Sequence, residues 1–279
     1  MKKIVVIPNE NKDINLKITK KLIKILSDRA CIYMEKKFED TGFQVEFKDS
    51  PYIYNDADFV IVLGGDGTIL NVCEPCGRRG IPVMGINLGK VGFMTEVNTD
   101  EIESAVNALL EDKFIIEKRM MMKVIVNKEN DYKKEYHALN DVVISKCNTS
   151  MISIELHSEN EKINAYTADG LIISTPTGST GYSLSAGGPV ADPTMELFIA
   201  SPICAHMLHA RPALMPVNKE IVMTILNEHN VGASVTIDGN EVDKITPEDK
   251  VIVQKSQYYV KIIKIGKQSF YDVLADKLK

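Results

Sequence analysis

The spacing of hydrophobic residues changes character along this chain of 279 residues. Up to about Lys113, short apolar runs alternate with stretches whose apolar positions recur every three or four residues. Ile4-Val5-Val6-Ile7 is short and β-branched, which predicts a strand over 3–8. From Ile14 the period lengthens. Ile14, Ile18, Leu22, Ile25 and Leu26 share a helical face, lysines take the other, and Asp13 is placed as the cap. The pattern carries this helix through residue 34, with a stop by Gly42. Further strands are predicted over 43–47, 59–63 and 81–86, with a helix over 68–79 that Pro75 should kink or end. A last helix in this half presents Ile102, Ala105, Val106, Leu109 and Leu110, capped by Thr99 or Asp100. Strands alternating with helices predict a parallel sheet whose ligands bind beyond the carboxyl ends of its strands.

Beyond Lys113 the runs over 121–126, 139–145, 152–156, 171–173, 221–226, 235–237 and 259–265 are strand-like and separated by turn residues. Few helical periods occur there, so the second half reads as β-rich. Helical spacing returns at 269–279 through Phe270, Val273, Leu274 and Leu278, a tail expected to pack back on the first domain. The division predicted is an α/β domain over 1–98, joined by the tail 266–279, and a β-rich domain over 99–265.

Composition narrows the function classes. Hydrophobic residues at 44% and charged residues at 25% describe a soluble globular chain with ample core. A net charge of −5 and a pI of 5.6 argue against a broad basic face for nucleic acid. No run approaches the roughly 18 apolar residues that span a bilayer, and the start lacks a signal peptide's apolar core. The five cysteines are scattered, and only Cys73 and Cys76 have a CxxC spacing, with no second pair to complete a zinc site. A cytoplasmic location with reduced thiols is expected. Met120-Met121-Met122 reads as core filling. His206 and His209 lack a fitting Glu or Cys and read as a structural pair.

Candidate chemistry gathers at four places. The strand over 59–63 breaks into Gly64-Gly65-Asp66-Gly67-Thr68, where adjacent glycines let amides approach a phosphate and Thr68 is placed to cap a helix that favours anions. Asp66 repels a phosphate, and so reads as a metal ligand or as the acceptor of a proton from an attacking hydroxyl; a plain strand-to-helix turn is the simpler alternative. Asn140-Asp141 interrupts an apolar run at a strand entrance, fit either to read a base or sugar edge or to form a hydrated turn. The stretch 169–189 is dense in Ser, Thr and Gly yet held by Pro176, Tyr182, Leu184 and Pro189, which suits a ligand with phosphates, ribose hydroxyls and a base. Asp238-Gly239-Asn240 matches a two-residue hairpin turn.

Together with Asn87-x-Gly-x-x-Gly-Phe-Met-Thr95, these motifs stand in the order found in NAD kinases, and the chain resembles that family over nearly its whole length. Gly-Gly-Asp-Gly alone is weak, being shared with diacylglycerol-type lipid kinases and phosphofructokinases; the 169–189 stretch is far more specific. The resemblance implies transfer of the ATP γ-phosphoryl group to the 2′-hydroxyl of the adenosine ribose of NAD, giving NADP. It implies a Rossmann-like α/β domain and a sandwich-like, NAD-binding all-β domain. Asp66 would accept the proton, and Gly64, Gly65, Gly67 and Thr68 would meet the ATP phosphates. NAD would be held by Asp66, Gly67, Asn140, Asp141, Asp169, Thr180, Gly181, Tyr182, Ser183, Ser185 and Asn240. A divalent metal, Mg²⁺, would ride on the ATP phosphates, with Asp66 as a further possible ligand. A homodimer or homotetramer is also implied.

The chain departs from the family pattern at Asn71, where a basic residue is frequent, and at Ala168, Gly181, Asp141 and Asn240. Gly181 should leave its part of the pocket wall roomier by one methyl. No Gly-x-x-x-x-Gly-Lys-[Ser/Thr] occurs, so a P-loop is excluded. The alternatives are a lipid kinase, which predicts a membrane-facing patch not seen in this acidic sequence, and a non-catalytic NAD or NADP sensor, which the presence of Asp66 disfavours.

Overall fold

A computed structural model describes residues 1–89, 91–129, 132–159, 161–207, 209–226, 232–266, 268–277 and 279. The chain forms two compact units, Met1–Lys118 with Tyr259–Lys279, and Arg119–Tyr258. Among the described residues, no helix is long and apolar enough to cross a membrane.

In chain order the first unit contains β1 (Lys2–Pro8), α1 (Lys17–Leu26), β2 (Ala30–Glu35), β3 (Glu46–Lys48), β4 (Phe59–Gly64), α2 (Asp66–Arg79), β5 (Pro82–Asn87) and α3 (Ile102–Leu110). Its five strands run parallel in the order β5-β4-β1-β2-β3. Ile4, Val6, Ile61, Leu63, Met84 and Ile86 pack there against Leu22, Ile23 and Leu26 of α1 and Ile102, Val106 and Leu109 of α3. From β1 the chain builds outward to β2 and β3 on one side and then to β4 and β5 on the other, so the order reverses between β1 and β4. Such a switch point leaves a crevice at the carboxyl ends of the two strands, here Pro8 and Gly64.

Several expectations need correction. α1 stops at Leu26, because Ser27 leaves the helical region and Asp28 is left-handed (φ 62°). Residues expected to continue the helix form β2, with Ala30, Ile32, Tyr33 and Met34 buried beside β1. Burial in a sheet thus overrides a weak helical period. Ile14 is 73% exposed and lies outside the buried face. Asp13 does cap, from one turn further back: its carboxylate accepts from Ile18 N and Thr19 N, each at 2.8 Å. The strand expected over 43–47 is the short β3 instead. Pro75 does not end α2, which runs on to Gly80, a left-handed cap (φ 67°), because Ile69, Val72, Cys73 and Cys76 bury the opposite face. α3 begins after Glu101, so neither Thr99 nor Asp100 caps it.

The second unit is antiparallel. The remaining strands are β6 (Ile115–Asn127), β7 (Lys133–Ala138), β8 (Asp141–Lys146), β9 (Ile152–Ser158), β10 (Glu161–Ala168), β11 (Gly170–Ser174), β12 (Phe198–Ile203), β13 (Ala213–Met215), β14 (Ile221–Ile225), β15 (Ala233–Ile237), β16 (Asn240–Ile245) and β17 (Lys250–Lys264). A short helix, α4 (Tyr182–Ser185), lies between β11 and β12. One sheet has the order β13-β12-β11-β8-β15-β16, and the other contains β10-β9-β14-β17, with β6 paired to β7. Met120, Met121 and Met122 are buried, as expected of filling residues. His206 and His209 are both exposed. The end of β17 returns to the first unit, where Lys261 and Ile262 pair in parallel with Pro82 and Val83 of β5. α5 (Phe270–Lys277) follows and belongs to that unit, as the tail's spacing predicts; Leu278 lies outside the described residues.

Candidate active site

In the first unit the site grows from the switch point. Asn9, just past β1, donates its backbone N–H to Leu63 O at 2.8 Å and its side-chain amide to Thr68 Oγ1 at 2.8 Å. Thr68 sits inside α2 rather than at its cap. Its hydroxyl reaches back to Gly65 N at 3.5 Å, one half of a capping box. Gly64 must lack a side chain here, since a Cβ would overlap the Thr68 hydroxyl. At Gly65 a Cβ would meet Lys12 Nζ at 2.9 Å, while Gly67 faces open space. The loop after β1 thus brings an ammonium group over the opening of α2, where backbone N–H groups and the helix dipole favour anions. Lys12 was not singled out by the sequence patterns, because its distance from the glycine turn in the chain hides their proximity.

Asp66 is the first residue of α2 and is half-buried. Its carboxylate turns toward the loop after β5 and accepts from Phe93 N at 2.8 Å and Met94 N at 3.0 Å, with Thr95 Oγ1 at 3.4 Å. Gly92 permits this approach, because a Cβ there would overlap Asp66 Oδ1. The two glycine motifs of the sequence therefore form one construction, with Asp66 as its joint.

The second unit supplies another cluster. Asn140 and Asp141 stand at the entrance of β8. The hairpin between β15 and β16 has Asp238 (φ 46°) and Gly239 (φ 83°) at its tip, as the two-residue turn requires. Its Asp238 carboxylate also accepts the N–H groups of Leu139 at 2.8 Å, Asn140 at 2.7 Å and Asp141 at 3.1 Å. Asn140 O accepts from Thr175 N at 2.8 Å, and a Cβ at Gly178 would overlap that same oxygen. A Cβ at Gly181 would lie 3.2 Å from Gly178 O and 3.9 Å from Asn140 Nδ2, so the position is bounded on two sides. Burial, and then the charge of Asp238, push the Asp141 carboxyl up to about 7.

Within the 169–189 stretch, a 3₁₀ turn Thr177–Thr180 leads into α4. Ser183 is fully buried and shares a hydrogen bond with Ser201 at 2.9 Å, whereas Tyr182 and Ser185 are exposed and Thr180 and Gly181 half-buried. Thr177 Oγ1 is buried and has no hydrogen-bond partner among the described residues, a cost that a bound polar group would relieve. Asp169 stands apart from the Asn140 cluster. Ser174 pairs with Asp141 and Gly170 with Ser145, which sets Asp169 just past the other end of the β8–β11 ladder, roughly 16 Å along the strands. It is ion-paired with Lys146 at 2.5 Å. Asn240 is exposed beside the hairpin tip. Asp238 and Thr177 are thus the second unit's additions to the expected residues. The turn reading of Asp238 hides a side-chain role that only three backbone donors reveal.

Cys73 and Cys76 are both buried, and burial pushes the Cys76 thiol up to about 12, which leaves that thiol protonated and unreactive at neutral pH. Among the described residues, no group of three or more His, Cys, Asp or Glu side chains is fit to hold a metal ion.

A carboxylate at the head of a helix, beyond a parallel sheet and beside phosphate-seeking amides, equips the first unit for phosphoryl transfer to a hydroxyl. The comparisons make the class specific: residues 4–114 match the ATP-NAD kinase N-terminal domain and residues 139–265 the ATP-NAD kinase C-terminal domain. The chain is 40% identical over 281 residues to the NAD kinase of Thermoanaerobacter sp. (strain X514), covering 100% of this chain and 99% of that protein. It is 37% identical over 283 residues to the NAD kinase of Acetivibrio thermocellus, covering 100% and 97%. Yeast NADH kinase complexed with NADH has the same fold, with a TM-score of 0.91 at 20% identity over 100% of this chain and 87% of that one. An NAD kinase from Archaeoglobus fulgidus in complex with ATP gives 0.76 at 24% identity over 99% and 98%. The chain belongs to the ATP-NAD kinase family and is an enzyme, a kinase that takes its phosphoryl group from ATP.

Proposed function

We propose that Asp66 is the proton acceptor as this NAD kinase phosphorylates the 2′-hydroxyl of the adenosine ribose of NAD to give NADP. The placement of Asp66 carries the reading: its carboxylate is fixed by two amides at the head of α2, at the sheet's switch point. The 2′-oxygen attacks the γ-phosphorus of ATP as the bond to the β,γ-bridging oxygen breaks. ADP leaves, and the hydroxyl proton passes to the Asp66 carboxylate. A ribose hydroxyl is a weak nucleophile at pH 7, and a placed base is worth about 10²–10⁴-fold. The rest of the barrier falls to positioning and charge neutralisation. Gly64, Gly65, Gly67 and Thr68 shape the donor phosphate seat, with Lys12 adding a cation above it.

For NAD, Asn140, Asp141, Thr180, Gly181, Tyr182, Ser185 and Asn240 form the adenosine end, with Thr177 as an added hydroxyl and Ser183 bracing the loop from behind. Asp169, at the far end of the same ladder, meets the nicotinamide half. The divalent cation, Mg²⁺ in this reading, rides on the ATP triphosphate, with the Asp66 carboxylate as a further ligand. A cytoplasmic homodimer or homotetramer acting on NAD, with no nucleic acid or membrane partner, completes the proposal.

The test supplies NAD, ATP and Mg²⁺ to purified protein and reads NADP with glucose-6-phosphate and an NADP-specific dehydrogenase. NADP should form only with ATP and metal, and Asp66→Asn should lose roughly 10²–10⁴-fold in kcat while still binding NAD by calorimetry. A near wild-type rate in that variant removes Asp66 from the role of base.

A further inference from the structure

The loop that holds Asp66 is itself held, and the partner is the last helix of the chain. α5 starts with a reciprocal cap: Ser269 N donates to Asp272 Oδ2 at 2.9 Å, and Asp272 N donates to Ser269 Oγ at 3.1 Å. Such a box fixes where a short helix begins. From its first turn the Phe270 ring packs on the Phe93 ring, with centroids 5.6 Å apart. From its last turn Lys277 Nζ lies 5.0 Å from the Phe93 ring centre. One side chain of the 92–95 loop is thus gripped at both ends of α5, beside a cavity of about 370 Å³ lined by Val91, Gln268, Val273, Asp276 and Lys277. A second tie lies just before α5, where Glu96 pairs with Lys264 and accepts from Ile265 N at 3.1 Å and from Gly266 N.

We propose that α5 is a positioning element for catalysis: by fixing the Phe93 ring, Phe270 and Lys277 set the Phe93 and Met94 amides that aim the Asp66 carboxylate. The proposal rests on Asp66 as the base. Amide donors placed by an aromatic ring are as accurate as the ring's seat, and misplacement by about 1 Å can cost about 10²-fold in rate. Phe270, Lys277 and Phe93 are therefore positioning residues, acting only through Asp66.

The experiment is a double-mutant cycle in the full-length protein, with kcat and both KM values measured for Phe270→Ala, Asp66→Asn and the pair, using long single-turnover incubations for the slow variants. Phe270→Ala should lose about tenfold in kcat, with KM for NAD and ATP within about twofold, and Phe270→Tyr should restore most of it. In the Asp66→Asn background the same change should alter the residual rate by less than about twofold. Lys277→Met, on an exposed residue, should lose about threefold and carries the test if Phe270→Ala fails to fold. Equal losses in both backgrounds, or unchanged kcat in Phe270→Ala and Lys277→Met, overturn the positioning role while Asp66 stands. A wild-type rate in Asp66→Asn alone overturns the base reading instead, and the positioning role with it.

Discussion

The two units use the same device for opposite ends. In the first, the Asp66 carboxylate accepts two consecutive amides, Phe93 and Met94, and remains half-exposed. In the second, the Asp238 carboxylate accepts three consecutive amides, Leu139 to Asp141, and so fixes the loop that carries Asn140. The first arrangement presents the acid and treats the loop as scaffolding; the second presents the loop and treats the acid as scaffolding. A pinned carboxylate is therefore not by itself a mark of catalysis, and what it leaves accessible decides its role.

The comparison is broken most severely by crowding. Gly92→Ala places a methyl on Asp66 Oδ1, and Gly178→Ala places one on Asn140 O. Both should destabilise by about 1–3 kcal/mol. Gly92→Ala should lower kcat by roughly a hundredfold through displacement of the base, whereas Gly178→Ala should mainly raise KM for NAD. Steady-state kinetics on the pair would separate the two roles, and matching kcat losses would erase the distinction. Asp238→Ala leaves amides at Leu139, Asn140 and Asp141 without their acceptor, for a loss of about 3 kcal/mol in chemical unfolding and an increase in KM for NAD of about tenfold.

The smallest effect is one of pH. Burial and the Asp238 charge hold the Asp141 carboxyl at about 7 in the folded protein, against an ordinary 3.8. Between about pH 4 and 7 the unfolded chain has released the proton that the folded chain keeps, so stability falls as pH rises through that window and levels off above it. The loss is on the order of a few kcal/mol. Asp141→Asn should flatten that slope, read as urea midpoints at pH 5 and pH 8.

Much of this was legible in the letters, and the illegible part has a common cause. β1, β4 and β5 are apolar runs buried on both faces, and Asp66 stands out because an acid in a phosphate seat demands a reason. β2 reads as helix because Ala30, Ile32, Tyr33 and Met34 carry no clean period of two. β7, β10 and β16 escape notice because their exposed positions are largely polar, so little apolar signal marks them. At the site, the partners of Asp66 and Asp238 are main-chain N–H groups, which every residue but proline possesses and no sequence pattern announces. Lys12 and Phe270 lie far in the chain from the motifs they serve, and only the fold brings them near.

The first unit is discontinuous: its sheet is closed beside β5 by the end of β17, and both that strand end and α5 follow the whole second unit in the chain. During synthesis the edge of β5 emerges early and waits for its neighbour while the whole second unit is translated, on the order of ten seconds at roughly 5–20 residues per second. An open strand edge in a nascent chain invites pairing with any other. A strand made early is thus completed by one translated after the whole second unit, and a premature stop codon ahead of Lys261 would cost both the shielded edge of β5 and the ring contact on the 92–95 loop.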